Sequence, residues 1–115
     1  MFDFLKQLFF SSRMRQFFDP RNCGAKRSSK WPALEKKFLS EHPTCEACGV
    51  KAETVHHRLP FHKYPRLELD ERNLHSICEK HSCHLMVGHL GSWASYNEDL
   101  VEDSARMLNK IQTRP

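Results

Sequence analysis

The sequence predicts a small α+β protein: a two-stranded hairpin and a short helix, clipped together by metal and flanked by further helices. Three observations carry this expectation. The cysteines form two close pairs, C-x2-C at Cys45 and Cys48 and C-x4-C at Cys78 and Cys83. Short runs that read as strands, 53–58 and 74–78, lie between those pairs. Apolar residues recur at helical spacing after Trp31 and again after Asn97.

Each cysteine pair offers two thiolates from one tight turn, and a tetrahedral zinc needs four. Gly49, just after the first pair, suits a knuckle that requires positive φ. Disulfides are the weaker alternative. The first residues lack the order of a secretory leader, and Cys23 would be left over, so a reducing compartment fits better. At 115 residues the chain is one domain with a modest core, for which a structural metal makes sense.

The first strand carries His56 and His57 side by side. Adjacent strand residues point to opposite faces, so one of the two can face a metal while the other faces elsewhere, unless a bend unites them. Pro60 ends this strand, and a loop runs to Asn73. The second strand follows, then a short helix over 82–90 that Gly91 ends. His84 and His89 are five apart, whereas residues three or four apart share a helix face. Two outcomes stay open: Gly88 breaks the helix and lets His89 swing back, or His89 is an ordinary histidine and water completes the site. A metal ion plus an imidazole base is enough to hydrolyse a phosphodiester. Any lone histidine is more often structural, which covers His42, His62, His75 and His81. Of these, His62 and His75 are candidates to line the site, and His81 is a less favoured knuckle ligand than Cys83.

Taken together, HH-x2-P, Asn-Leu and Cys-His in a helix resemble the HNH endonuclease family, the ββα-metal or His-Me finger fold. The likeness is to small zinc-bearing members of phage type. It rests on Ser-Lys-Trp-Pro at 29–32, HH-x-x-P-F-H at 56–62, E-L-D-x-x-N-L at 68–74, C-H-L-x-x-G-H-L at 83–90 and W-x-S-Y-N at 93–97, in one order. It spans about residues 28–115, leaving 1–27 outside. The resemblance implies His57 as the general base and Asn73 as the brace that orients it through backbone bonds. It implies His84 as a metal ligand on the helix, His56 as a second and His89 as a third. The longer C-x4-C knuckle accounts for the wide Asn73–His84 spacing. Expected cofactors are a structural Zn²⁺ on Cys45, Cys48, Cys78 and Cys83 and a catalytic Mg²⁺, Mn²⁺, Ni²⁺ or Zn²⁺. Expected partners are DNA and, as a further candidate, phage packaging proteins, in a bacterial or phage-infected cytoplasm.

Charge fits a DNA-acting chain. The net charge of +4 is uneven: residues 1–44 carry +5 and residues 45–115 carry −1. Lys26, Arg27 and Lys30 upstream, with Arg58, Lys63 and Arg66 nearer the histidines, are the candidate phosphate contacts. A solvated basic segment is an equally good reading of the upstream run. Phe4, Leu5, Leu8 and Phe9 share a helical face that suits packing on the domain or a partner, and this segment is too short and polar to span a membrane. Residues 19–30 read as a linker. Trp31-Pro32 opens a helix with Leu34, Phe38 and Leu39 on its apolar side. Asn97 is the expected N-cap of the last helix, whose apolar face is Leu100, Val101, Ala105, Leu108 and Ile111. The competing functional class is a non-catalytic zinc module that binds nucleic acid or protein. Keeping both His57 and Asn73 argues against it, because a pure binder needs neither. A thiol redox enzyme lacks the strand–helix context its C-x2-C would need.

Overall fold

The computed structural model describes residues 26–114. The Phe-rich helix, Cys23 and most of the basic segment expected at 1–27 lie outside the described residues. The architecture is α+β: helix α1 (Trp31–Glu41), strands β1 (Thr54–His57) and β2 (Leu74–Ile77), a π-helical turn (His84–Gly88) and helix α2 (Leu100–Gln112). No described helix is long and apolar enough to cross a membrane.

Helix α1 begins where the sequence places it. Pro32 sits in the first turn, where a missing N–H costs nothing. The helix closes with His42 N–H donating to the Phe38 carbonyl at 2.8 Å. Pro43 then disfavours another helical residue before it. Eleven residues are too few for a stable isolated helix, so packing must hold α1. Phe38 supplies it, buried against Val55 and Leu74, with Trp31, Leu34 and Leu39 partly covered beside it.

The two strands pair antiparallel, with Thr54 opposite Ile77, Val55 opposite Ser76, His56 opposite His75 and His57 opposite Leu74. Alternation sorts these residues onto two faces. Val55, His57 and Leu74 turn to α1, where His57 lies 4.5 Å from the Trp31 ring. His56, His75 and Ile77 turn to the π turn, α2 and the cysteine cluster. The strands are each one or two residues shorter than expected, because the chain bends at Arg58 and turns at Cys78.

The first knuckle spans Cys45 to Val50 and is closed by an isolated bridge between Thr44 and Lys51. Gly49 has φ +85 there, and a Cβ on it would lie 3.3 Å from Leu108 Cδ1 of α2. Ile77 and Leu100 complete the core around the cysteines. The expected helix over 82–90 is instead a single π turn. Its closing bond runs from His89 N–H to the His84 carbonyl at 3.1 Å, an i→i+5 pattern.

Two expectations for α2 are corrected. Asn97 is not its N-cap: Asp99 is, without a side-chain bond to the helix. Asn97 Oδ1 accepts from Asp99 N–H, while its Nδ2 donates to the Val87 carbonyl and to Asp103, tying the π turn to α2. The buried face is Leu100 and Ser104, with Leu108 half-buried beside Gly49 of the knuckle and Ala105 and Ile111 exposed.

Candidate metal centres and the cavity beside them

Two clusters of metal-binding residues emerge among the described residues. Sγ atoms of Cys45, Cys48, Cys78 and Cys83 all lie within 4.8 Å of one another. All four thiols are free. Cys45 and Cys48 come from the first knuckle, Cys78 from the end of β2 and Cys83 from the start of the π turn. Cys48 and Cys78 sulfurs are 3.5 Å apart. Tetrahedral thiolates on zinc at ~2.3 Å would lie about 3.8 Å apart, so the quartet fits that ion. The thiols do not ionise alike. Burial raises all three shifted members, but hydrogen bonds from the His81 backbone and neighbouring thiols bring Cys78 below the usual thiol range. Burial and the neighbouring sulfurs hold Cys83 far above it. Burial likewise raises Cys48. A divalent cation is what allows such crowded sulfurs to be thiolates together. His81 is no member of the quartet; its Nδ1 lies 3.5 Å from Cys48 Sγ, on the outside.

The second cluster is His56, His84 and His89, with ring nitrogens also within 4.8 Å of one another. The π turn answers the five-residue spacing: its wider winding stacks residue i+5 over residue i, so His84 Nε2 and His89 Nε2 meet at 3.3 Å. His84 Nδ1 donates to Glu79 Oε1 at 2.6 Å, and Thr54 Oγ1 donates to the same oxygen at 2.9 Å. His89 Nδ1 donates to the Ser95 carbonyl at 2.7 Å. With Nδ1 donating in both rings, the two Nε2 atoms face each other, and a shared proton or a metal cation satisfies both. Tetrahedral nitrogens at ~2.0–2.1 Å from a metal would lie about 3.4 Å apart, close to the observed pair. His56 completes the argument. Its Nε2 is the one fully buried side-chain N or O atom among the described residues without a hydrogen-bond partner. Burial, then the charges of His89 and His84, push His56 down to about 2, so it is neutral and available as a ligand. Gly88 lies against His56, where a Cβ would sit 3.4 Å from the ring, in ordinary contact.

His57 faces away from the trio as strand alternation requires, yet it lines the same cavity of about 460 Å³ that wraps the end of β1. Its Nε2 lies 3.0 Å from the Glu68 carbonyl. A carbonyl only accepts, so Nε2 carries the proton and Nδ1 keeps its lone pair. Burial lowers His57 to about 4; the bond to Glu68 opposes this, and Arg27 adds to it. Asn73 is buried and braces the turn after β1. It accepts from Leu59 N–H at 2.8 Å and donates to the Leu59 and Leu67 carbonyls at 3.1 and 3.3 Å. Glu68 anchors the segment upstream of α1, since its carboxylate accepts from Ser28 N–H at 3.0 Å and pairs with Arg27 at 3.8 Å.

The expected phosphate contacts divide. Arg27 lines the cavity, its guanidinium 4.7 Å from the Phe61 ring. Lys26, Lys30 and Arg66 are exposed, and Lys63 lies 5.3 Å over the Tyr96 ring. Arg58 is corrected: it is buried, donates to the Arg72 carbonyl at 3.1 Å, and lines a separate cavity with Glu46 and His75. The bend that ends β1 turns its side chain away from the site. His62 lines the site cavity, whereas His75 does not. His75 joins Glu46, at 2.8 Å, to Ser104, at 3.1 Å, in a chain that copies a nucleophile–base–acid order. Ser104 is only 1% exposed, so this chain serves to tie α2 to β2.

Sequence reasoning assigned no role to Glu79, Glu68 or Trp93, whereas Gly88 was already a candidate to break the helix and return His89 to the site. Glu79 carried a faint signal, a carboxylate inside the second knuckle. Glu68 and Trp93 stood within the quoted phrases without a chemical reason attached. No family model, curated protein or solved structure matches the chain.

Proposed function

We propose that the chain is a metal-dependent endonuclease of the HNH type that hydrolyses phosphodiester bonds in DNA. In this reading the hairpin and the π turn form a ββα-metal unit, and the four cysteines hold a structural zinc. The observation that carries the proposal is the meeting of two chemically distinct imidazole groups in one cavity. His57 presents a neutral Nδ1, and beside it stand three histidines whose nitrogens converge, one of them buried without a partner.

His56, His84 and His89 would hold a divalent ion, and an all-imidazole set suits Ni²⁺ or Zn²⁺ better than the oxygen-seeking Mg²⁺ or Mn²⁺. Such an ion, when bound, supplies Lewis-acid stabilisation of charge on phosphoryl and leaving-group oxygens. His57 Nδ1 takes a proton from water while the water oxygen bonds to phosphorus and the P–O3′ bond opens. The bond from Nε2–H to the Glu68 carbonyl strengthens as imidazolium forms, and Asn73 keeps the adjoining backbone in place. At pH 7 the depressed His57 is wholly neutral, hence ready to accept. A phosphate near Arg27 offsets the guanidinium charge and raises His57 toward the range of an effective base. Arg27, Lys26, Lys30, Lys63 and Arg66 supply the cationic approach.

Conversion of supercoiled plasmid to nicked circles tests the reading. Nicking should require one of the four divalent ions, stop with chelator and disappear in His57→Ala. A folded, metal-loaded chain that binds DNA without nicking it under any of these ions would instead support the non-catalytic zinc module.

A further inference from the structure

We infer that Trp93 is a stacking platform for an unpaired nucleobase, which makes single-stranded or locally unpaired nucleic acid the substrate class. The inference rests on the nuclease reading for where the phosphate lies. Trp93 packs against the trio in T-shaped contacts, its ring 5.1 Å from His84 and 4.9 Å from His89, at interplanar angles of 69° and 61°. Despite those contacts it stays 58% exposed. The indole thus borders the histidines while more than half of its surface is left to solvent on the wall of the cavity.

The rest of that wall has matching chemistry. Phe61 and Trp31 also line it, and Arg27 lies 4.7 and 5.4 Å from their rings while half its side chain stays exposed. One carboxylate, Glu35, lines the cavity as well. Aromatic faces beside an exposed cation suit a strand that alternates flat bases with phosphates. A paired base stacks on its neighbours and offers only its edges, so an indole beside the reacting phosphate is useful when the base is unpaired. Leu90 and Met86, nearby in sequence, are each also 58% exposed.

The test uses the full-length, metal-loaded chain carrying His57→Ala, so that strands survive. Fluorescein-labelled oligo-dT, oligo-U and a duplex of equal length are titrated at one salt concentration and followed by anisotropy. The single strands should bind more tightly than the duplex, with the dT and U arms separating DNA from RNA. Adding Trp93→Ala should weaken strand binding roughly 5- to 150-fold, the range for losing one stacked base. Trp93→Phe should recover most of that loss. With Trp31→Phe, leaving Trp93 the only tryptophan, its emission should be quenched by oligo-dT or oligo-U. Because Trp93 also borders His84 and His89, metal titration accompanies each variant, and if the Ala variant loosens metal the Phe variant and the quench decide. Unchanged strand affinity in Trp93→Ala, or no quench at saturation, overturns the inference. Plasmid nicking by the parent separates the two ideas. Nicking without any Trp93 dependence sinks stacking alone, and Trp93-dependent strand binding without nicking sinks the nuclease reading alone.

Discussion

The cysteine quartet and the histidine trio answer one physical problem in two ways. Each gathers like donors that repel or starve one another unless a cation joins them. In the quartet the donors fill a tetrahedron and sit inside the core, with Cys45 and Cys78 at 0% exposure and Cys83 at 1%. No coordination position is left for anything else, as in a structural site. The trio stops at three donors and opens on a cavity, with the His84 side chain 17% exposed. Its rings are aimed from behind by Glu79 and the Ser95 carbonyl. Ligand number and access, more than ligand identity, separate a clip from a reactive centre.

Breaking the quartet should have the largest effect. Structural zinc contributes ~10–16 kcal/mol apparent in small domains, more than a typical domain's whole stability. Cys45→Ser should therefore give an unfolded or aggregated chain, checked by zinc content and a melting curve. A cooperative melt with a full equivalent of zinc would make the quartet dispensable and erase the contrast.

Next in size is the division within the cavity. His57→Ala should lower cleavage about 10²–10⁴-fold, the usual worth of a general base, and leave metal binding intact. His84→Ala should weaken metal binding and cleavage together. Calorimetric titration with Mn²⁺ or Ni²⁺ decides between them. Equal metal loss in both would make His57 a ligand and move the base elsewhere.

Glu79→Gln probes the support behind the trio. Removing such a partner typically costs 10–100-fold in metal affinity. The zinc of the quartet should stay, because the Glu79 carboxylate bonds to His84 and Thr54 on the side of the trio. Selective loss at one centre, read by competition with a metal indicator, would sharpen the comparison; loss at both would merge them.

Protons give the finest distinction. Burial depresses His56 and His89, so at pH 7 these two meet a metal already neutral and release almost no protons. Cys48 and Cys83 are raised, so loading the quartet must expel protons. Metal affinity of the quartet should then rise more steeply with pH between 6 and 8 than that of the trio, by ~1 log unit per proton released. Calorimetry in buffers of different ionisation heat measures the count directly. Similar proton release at the two centres would contradict the contrast.

Much of this was legible in the residues. Paired cysteines, adjacent histidines in a strand and Trp31-Pro32 at a helix start each rest on local rules of spacing, alternation and backbone geometry, and the structure follows them. The clearest miss is the regular helix expected over 82–90, although His89 was already named as a third ligand through the resemblance. Helical spacing separates residues five apart, yet the chain takes a π turn that joins them. Its carbonyl at Gly88 accepts from Asn97 N–H at 2.9 Å, and the bare Gly88 face lies against His56. Both partners are distant in sequence or on another element, so no window of local periodicity could contain them.

By itself, then, the sequence determined the donor inventory: four cysteines in two turns, His56 and His57 on opposite faces, and Asn73 leading into the second strand. Those facts follow from covalent spacing and strand geometry. Only the tertiary structure decided that His89 joins His84, that Glu79 aims one ring and Glu68 sets the tautomer of another, and that Arg58 turns away while Arg27 turns in. The physical reason is range. A neutral imidazole becomes a ligand or a base according to which of its nitrogens already carries a proton, and that proton is held by a partner the chain brings from another loop.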